Sequence, residues 1–165
     1  MKMNAKILSI VSAVFLLAAC ENPGANNGGL DANGNPINGS GSENVVPGSQ
    51  ADLEKNVGDR VFFALDSSVL TSEAQGVLQR QAKWLQQYGQ NRLSIEGHAD
   101  ERGTREYNIA LGERRAAAVK KYLSSLGIDS KRLSTISYGK ERPAVIGSNE
   151  EAWAQNRRAV SVVAQ

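Results

Sequence analysis

The stretch GHADERGTREYNIALGERRA, residues 97–116, decides the fold of this chain because two different sequence periods meet in it. Residues 92–97, which lead into it, alternate apolar and polar side chains, and a period of two predicts a half-buried strand. From about Asn108 to Leu126, apolar and small residues recur at helical spacing, and Gly127 stands where a helix C-cap glycine is expected. The stretch therefore predicts a strand end, a polar turn and the start of a helix.

Two charged residues of this stretch, Asp100 and Arg115, are brought by the predicted elements to one edge of the fold. Asp100 follows the strand directly, and Arg115 lies one turn or more into the helix. The partial positive charge of the helix N-terminus favours anions at this edge. A free amino-acid end carries an ammonium and a carboxylate, which one acid and one bidentate arginine can bind together. The alternative is a surface ion pair between the two side chains, contributing roughly 0–1 kcal/mol.

The rest of the folded region continues the alternation of strand and helix patterns. Thr71 or Ser72 is expected to cap a helix that runs to about Gln87, and Ser72 with Gln75 fits a capping box. The other predicted elements are a buried strand at residues 61–65, a strand at 133–138, a short helix at 149–156 and a last strand at 158–163. The order β-α-β-α-β-β predicts an α+β fold with helices packed on a mixed sheet, and it leaves the strand order open.

Five short motifs, taken in their order and spacing, resemble the signature of the OmpA-like peptidoglycan-binding domain over about residues 57–163. The motifs are HADERGT at 98–104, YN at 107–108, LGERRA at 111–116, SYG at 137–139 and NRRAV at 156–160. The resemblance implies an α/β sandwich in which two main helices pack on a mixed four-stranded sheet. It also implies a protein that binds the cell wall and is not an enzyme.

The resemblance further implies a site that binds the diaminopimelate of the peptidoglycan stem peptide. In this site Asp100 takes the ammonium and Arg115 takes the carboxylate. The other residues that the resemblance brings to the pocket are Asp66, Glu101, Arg102 and Thr104. Asn108 is expected to cap the helix rather than to contact the ligand. Arg157 and Arg158 are not placed in the site: one is expected on the solvated face of the last strand, and one is expected to pair with an acid.

Residues 1–19 predict a signal peptide, because Lys2 and Lys6 precede an apolar run of about 13 residues, shorter than the roughly 20 that a spanning helix needs. The run ends in LAAC, which resembles a bacterial lipobox, so Cys20 is expected to become the acylated N-terminus. The alternative is an ordinary cleavage site beside an incidental cysteine. Glu21 favours the outer membrane, since the known inner-membrane retention signal has aspartate at that position.

Residues 20–50, rich in Gly, Asn and Ser, predict a disordered tether because they have little apolar surface to bury. Such a segment spans roughly 30 Å r.m.s. and at most about 100 Å when stretched. Residues 51–165 form the predicted peptidoglycan-binding domain. The chain is therefore expected to consist of a lipid anchor, a tether and a folded domain that faces the periplasm.

Composition and motifs argue against three other kinds of function. Without Lys2 and Lys6, 17 of the 19 Lys and Arg remain against 17 Asp and Glu, and no basic run contains interleaved aromatic residues, so nucleic-acid binding is not expected. His98 is the only histidine and Cys20 the only cysteine, so no metal or other cofactor is expected. No serine lies in a nucleophile-elbow motif, which argues against hydrolysis. Hydrolysis of the cell wall, or an accessory role in it, is therefore kept only as the alternative function.

The resemblance also implies where the protein acts and what it contacts. It implies an outer-membrane protein that ties this membrane to the cell wall. It implies contact with the periplasmic propeller protein of the Tol system and with other Tol components. The expected role is in envelope integrity and in constriction at cell division.

Overall fold

The structure, a computed structural model, describes residues 45–164. The predicted signal peptide, Cys20 and most of the predicted tether lie outside the described residues. The helices are α1 (Gln50–Asp52), continued by a π-helical turn at Leu53–Val57, α2 (Ser72–Gln87), α3 (Arg105–Ser125) and α4 (Glu150–Asn156), with a 3-10 turn at Ser130–Arg132. The strands are β1 (Arg60–Phe62), β2 (Arg92–His98), β3 (Leu133–Gly139) and β4 (Arg158–Ala164). Within residues 45–164, no helix is long and apolar enough to cross a membrane.

The four strands form one mixed sheet in the order β1-β4-β2-β3. β2 and β3 run parallel, whereas β4 lies antiparallel between β1 and β2. The predicted α+β class, with helices on a mixed four-stranded sheet, is confirmed, and the structure supplies the strand order that the sequence left open. Because β4 is antiparallel to both neighbours, its first residues lie beside the last residues of β1 and β2. The end of β1, the end of β2 and the start of β4 therefore meet at one end of the sheet.

Two helices, α2 and α3, pack on one face of the sheet and bury its apolar side chains. The alternation predicted for β2 is present: Leu93 and Ile95 are fully buried in the same cluster as Leu78 of α2 and Leu123 of α3. The predicted helix end is also confirmed, since Gly127 follows α3 with a φ of +91°, the left-handed conformation of a C-cap glycine. The core thus lies between two helices and one sheet face.

α2 spans the predicted range, and its N-cap is Thr71, one of the two predicted cap residues. The hydroxyl of Thr71 accepts a hydrogen bond from the amide of Ala74 at 3.2 Å, which makes Thr71 the N-cap. The predicted capping box of Ser72 and Gln75 is wrong. Ser72 already lies inside the helix, and the side chain of Gln75 donates to the carbonyl oxygen of Leu70 instead.

α3 begins one turn earlier than predicted, at Arg105. Thr104 is its N-cap, with a hydroxyl that accepts a hydrogen bond from the amide of Tyr107 at 3.2 Å. The prediction that Asn108 caps this helix is wrong, because Asn108 lies inside α3 and is almost completely buried. The polar turn between β2 and α3 is correspondingly short.

β1 is shorter than the buried strand predicted at residues 61–65, and only one of its faces is covered. Val61 and Phe63 are buried, but Phe62 between them is 42% exposed. The continuous apolar run predicted burial on both faces, whereas the two long helices cover a single face of the sheet. After Phe63 the chain leaves the sheet and turns at Asp66, which has a φ of +53°.

The folded region begins a few residues before residue 51. Ser49 caps α1 through a hydrogen bond that its hydroxyl accepts from the amide of Asp52. The carbonyl oxygen of Gly48 accepts a hydrogen bond from the side chain of Asn91 at 2.7 Å, and Asp52 accepts one from Trp84 at 2.8 Å. Residues 48–50, predicted as the end of the tether, therefore pack against the domain.

Candidate binding cleft

A cleft opens where the ends of β1 and β2 meet α3. Its volume is about 300 Å³ when the open mouth is included. Two carboxylates, two guanidinium groups and several apolar side chains line it: Leu65, Asp66, Asp100, Arg102, Tyr107, Asn108, Leu111 and Arg115. A concave site with both signs of charge suits a small ligand that also carries both signs.

Arg115 is fully buried and links three segments that border the cleft. Its Nε donates to the carbonyl oxygen of Ser67 (2.8 Å), its Nη1 to that of His98 (2.7 Å) and its Nη2 to that of Ala64 (3.1 Å). Arg115 lies nearly three turns into α3, about 15 Å from the start of the helix. The dipole of α3 acts over the first turn, so the expected influence of the helix N-terminus does not reach this residue.

The Arg115 guanidinium retains charge and hydrogen-bonding capacity for a ligand. Burial lowers the pKa of Arg115 to about 10, even though Asp100 and Asp66 lie near enough to oppose this shift. Within residues 45–164, no acidic side chain reaches Arg115 at ion-pair distance. A guanidinium has five N–H donors, and the backbone carbonyls account for three. The remaining donors and the uncompensated charge favour a carboxylate in the cleft.

Asp100 is 5% exposed and is held by two arginines. Its Oδ1 accepts hydrogen bonds from the amide and Nε of Arg102, and its Oδ2 lies 2.5 Å from Arg102 Nη2 and 3.5 Å from Arg157 Nη1. Burial alone would raise the pKa of Asp100, but the hydrogen bonds from Arg102 and Arg157 outweigh it and hold the pKa below its ordinary value. Asp100 is therefore ionised at neutral pH, and its ion pairs are with Arg102 and Arg157 rather than with Arg115.

Asp66 lines the cleft from the loop after β1. Its left-handed backbone conformation is uncommon outside glycine, and such conformations concentrate at functional sites. Its carboxylate accepts a hydrogen bond from the hydroxyl of Tyr107, and this bond raises the pKa of Tyr107. Tyr107 and Asn108 are cleft residues that the sequence analysis missed, although both stand in a motif on which the family resemblance rests.

Glu101 and Thr104 belong to the loop beside the cleft but not to its lining. Glu101 accepts a hydrogen bond from the indole nitrogen of Trp153 at 3.0 Å, and Thr104 caps α3. Lys140 holds the loop from outside by donating to the carbonyl oxygens of Glu101 (3.1 Å) and Gly103 (2.8 Å). The four predicted pocket residues that do line the cleft are Asp66, Asp100, Arg102 and Arg115.

Arg157 and Arg158 are both buried, so the expectation that one of them lies on a solvated strand face is wrong. The expectation that one pairs with an acid is confirmed by Arg157, whose Nη2 lies 2.7 Å from Glu150 and whose Nη1 lies 3.5 Å from Asp100. Arg157 thus supports a cleft residue, although the sequence analysis left it outside the site. Its sequence signals were its place directly before the last strand and its membership of the NRRAV motif at 156–160.

His98 contributes its backbone carbonyl to the site, not its imidazole. The side chain is 2% exposed and packs against Tyr138, with ring centroids 5.6 Å apart. Burial lowers the pKa of His98 to about 4, and the neighbouring charges of Arg158 and Arg142 act in the same direction. The imidazole is therefore neutral at neutral pH. In the part of the chain that the structure describes, no three metal-ligating side chains are grouped around a common point.

The fold and the charged cleft at its strand ends define a domain of the OmpA type. Residues 62–157 match the OmpA family, and the chain belongs to that family. The peptidoglycan-associated lipoprotein of Brucella melitensis is 55% identical to the chain over 125 residues, which are 76% of this chain and 74% of that protein. The protein of the same name from Mesorhizobium japonicum is 48% identical over 160 residues, 97% of this chain and 92% of that one.

The fold is also that of a solved structure. The crystal structure of the peptidoglycan-associated lipoprotein from Burkholderia pseudomallei aligns with a TM-score of 0.64 at 40% sequence identity. The alignment covers 68% of this chain and 100% of that chain. The aligned portion thus amounts to the folded domain.

Proposed function

We propose that this chain is an outer-membrane lipoprotein whose folded domain binds peptidoglycan non-covalently through the diaminopimelate of the stem peptide. The observation that carries the proposal is the pair of buried opposite charges, Asp100 and Arg115, in one cleft of an OmpA-family domain. The names of the relatives, which are 48% and 55% identical, support the same function. The protein ties the outer membrane to the cell wall as part of the Tol–Pal system, in envelope integrity and cell division.

Arg115 binds the carboxylate of the diaminopimelate in this proposal. Its guanidinium is fixed by three backbone carbonyls before any ligand arrives, so it loses little side-chain freedom on binding. A planar guanidinium offers two parallel N–H donors to a carboxylate, a geometry that an ammonium cannot supply. The desolvated surroundings strengthen this contact, because the local dielectric constant is low.

Asp100 binds the ammonium, and Asp66 adds a second negative charge at the same cleft. Both acids lie close enough to influence the pKa of Arg115, so positive and negative groups of the site are adjacent. A ligand with only a carboxylate would gain nothing from the two acids, and a ligand with only an ammonium would leave the charge of Arg115 without an anionic partner. The free amino-acid end of diaminopimelate satisfies both.

The N-terminal segments supply the anchor and the reach. Residues 1–19 are the signal peptide, Cys20 carries the acyl chains, and residues 21–44 form the tether to the folded domain. More than one acyl chain is needed for stable anchoring, which a multiply acylated cysteine provides. The tether lets the domain leave the membrane surface and meet the cell wall.

The domain acts as a binding module without turnover. Glu101 and Thr104, at the loop beside the cleft, support the loop and contact the ligand at its rim. The periplasmic propeller protein of the Tol system binds a face that overlaps the cleft. A release assay on purified sacculi tests the absence of hydrolysis: soluble fragments above the level of a buffer control contradict it.

Co-sedimentation with purified sacculi tests the central claim. The mature chain carrying Cys20→Ala, which removes the acylation site, is expected to sediment with sacculi and to be displaced by a diaminopimelate-containing tripeptide. Sacculi whose stem peptides contain lysine in place of diaminopimelate serve as the control. Equal sedimentation with both kinds of sacculi, or with neither, contradicts the proposal.

A further inference from the structure

Arg102 occupies the position on Asp100 that the proposed function gives to the ligand. We infer that Arg102 is a displaceable internal counter-ion: the ammonium of the ligand takes its place on Asp100, and Arg102 is retained by a second seat that it already contacts, formed by Glu150 and Trp153. This inference rests on the proposed function and specifies how the same cleft selects an ammonium.

Among the described residues, Arg102 supplies all three geometric hydrogen bonds to the carboxylate of Asp100, and Arg157 contributes a longer ion-pair contact. An ionised carboxylate offers about four lone-pair positions. Oδ1 accepts from the amide of Arg102 at 3.1 Å and from its Nε at 3.2 Å. Oδ2 lies 2.5 Å from Nη2 of Arg102 and 3.5 Å from Nη1 of Arg157. Two of the three hydrogen bonds come from the Arg102 guanidinium, and the charged Nη1 of Arg157 faces the remaining position, so an incoming ammonium gains access to the carboxylate when the Arg102 side chain leaves it.

Arg102 is the donor that can leave, because its side chain is far less confined than that of Arg157. The Arg102 side chain is 34% exposed, against 9% for Arg157. Arg157 is also fixed by the carbonyl oxygen of Phe63 at 3.1 Å and by Glu150 at 2.7 Å. The backbone amide of Arg102 keeps its bond to Oδ1 when only the side chain moves, so Asp100 stays oriented toward the cleft.

The Arg102 guanidinium already contacts this second seat while it is bound to Asp100, so it keeps partners when it releases the carboxylate. Nη1 of Arg102 lies 3.9 Å from Oε2 of Glu150, and its Cζ lies 4.1 Å from the centre of the Trp153 ring. A guanidinium over an indole face is stabilised by a cation–π interaction. The Trp153 ring is held by its hydrogen bond to Glu101 at 3.0 Å. Glu150, Trp153 and Glu101 therefore act as positioning residues through Arg102.

The exchange gives the cleft selectivity for a primary ammonium. A primary ammonium brings a full charge and three donors to the place that Arg102 vacates. An uncharged amide or a methylene at the same position brings no charge, so Arg102 stays on Asp100 and no contact is gained. The ligand ammonium thus competes with the Arg102 guanidinium for Asp100, and only a ligand with a cationic group can replace it.

The movement is measured directly by NMR of the arginine Nε–H groups in the mature chain carrying Cys20→Ala. Saturation with the tripeptide L-Ala-γ-D-Glu-meso-diaminopimelate is expected to shift the Arg102 Nε–H resonance and to leave that of Arg157 in place. The matched probe is the same tripeptide with its terminal ammonium replaced by hydrogen, which is expected to leave the Arg102 resonance unmoved. A saturated complex with an unmoved Arg102 resonance overturns the inference while the proposed function stands.

Affinities of three variants give an independent readout. Arg102→Gln removes the internal competitor, so the tripeptide should bind about two to five times more tightly, the factor expected for removing a partly exposed ion pair. Trp153→Leu removes the second seat and should weaken binding by a similar factor. Arg105→Gln, which removes the same charge from a residue that is paired with Glu141 outside the cleft, is the control. Weaker binding by Arg102→Gln overturns the inference. A wild-type chain that does not bind the tripeptide overturns the proposed function itself.

Discussion

Gly97 and Gly112 meet where β2 and α3 come closest: a Cβ atom added to Gly97 would lie 1.8 Å from the carbonyl oxygen of Gly112. A Cβ on Gly112 would lie 2.3 Å from the hydroxyl of Ser137 and 2.8 Å from the carbonyl oxygen of Gly97. No side chain fits at either position. This contact fixes the distance between α3 and the sheet. It therefore also fixes the position of Arg115 relative to the carbonyl groups that it binds.

We therefore expect Gly97→Ala to destabilise the domain by about 1–3 kcal/mol or more, because overpacked backbone must shift. Chemical denaturation measures the change. Gly76→Ala is the matched control: Gly76 lies in α2, a Cβ there meets nothing within 4 Å, and alanine should stabilise the helix by about 1 kcal/mol. Equal stability of the Gly97→Ala variant and the wild type would show that α3 can lift from the sheet freely.

Asp100→Asn and Arg115→Lys are expected to weaken binding of the diaminopimelate tripeptide by about 2–5 kcal/mol each, or roughly thirty-fold to several thousand-fold. Asparagine cannot neutralise an ammonium, and lysine cannot make the two parallel hydrogen bonds of a guanidinium. Calorimetric titration measures the affinities.

Thermal melts must accompany these titrations, because the two residues differ in their structural role. Arg115→Lys leaves backbone carbonyls without donors and should also lower the free energy of unfolding by about 1–3 kcal/mol. Glu106→Gln, an exposed carboxylate in the first turn of α3, is the control for loss of one negative charge. Wild-type affinity in both folded variants would remove the two residues from the site.

His98 makes the stability of the domain depend on pH. Its pKa is about 4 in the folded protein and about 6.5 in an unfolded chain, so between these values the unfolded state binds more protons. The stability contribution is complete above pH 6.5, falls as the pH drops through this window, and is lost below about pH 4, by up to roughly 3 kcal/mol in total. Denaturation at several pH values should show this slope in the wild type and a flatter one in His98→Gln. Parallel curves would assign the acid sensitivity to other groups.

Cys20→Ala should leave a soluble periplasmic protein with an intact domain, because the acyl chains are the proposed anchor. Fractionation after a high-salt wash measures the distribution, and circular dichroism checks the fold. The chain with Cys20 intact is the reference. Recovery of the variant in the washed membrane fraction would contradict lipid anchoring through this residue.

Shortening residues 21–44 to a few residues should abolish crosslinking to peptidoglycan in cells, since this segment supplies the proposed reach. The cut stops before residues 45–50, because Gly48 and Ser49 are bonded to the domain. Binding of the purified variant to the tripeptide should be unchanged. A Gly/Ser segment of equal length should restore crosslinking, and undiminished crosslinking in the short variant would mean that another element sets the distance.

The sequence predicted correctly those parts of the fold that depend on a few neighbouring residues. The alternation of Leu93 and Ile95 predicted the burial of β2, and Gly127 predicted the end of α3 because its conformation favours glycine. The cap of α3 was misassigned because Thr104 and Asn108 are both good N-cap residues in one polar run, and only the backbone decides between them. The burial of β1 was overestimated because an apolar run does not tell how many faces are covered.

The parts of the site that the sequence did not reveal depend on long-range arrangement. Asp100 and Arg115 stand in two motifs of one recognisable stretch, residues 97–116, so their residue types and proximity could be predicted. Arg157 reaches Asp100 only because β4 inserts between β1 and β2, and strand order is not encoded in the spacing of the elements. The three carbonyl groups on Arg115 come from the loop after β1 and from the end of β2, and no local pattern predicts a backbone acceptor.

The bonds from Arg115 to Ala64, Ser67 and His98 have a consequence for how a defect at this position would appear in a cell. The group proposed to bind the ligand also holds together the loop after β1, the end of β2 and α3. A cell with a damaging change at Arg115 would degrade the unfolding protein. Its envelope would then lack the protein altogether, instead of containing a folded protein that no longer binds peptidoglycan. The phenotype of such a mutant would therefore be that of a deletion, and immunoblotting would show a missing band where a pure binding defect leaves a normal one.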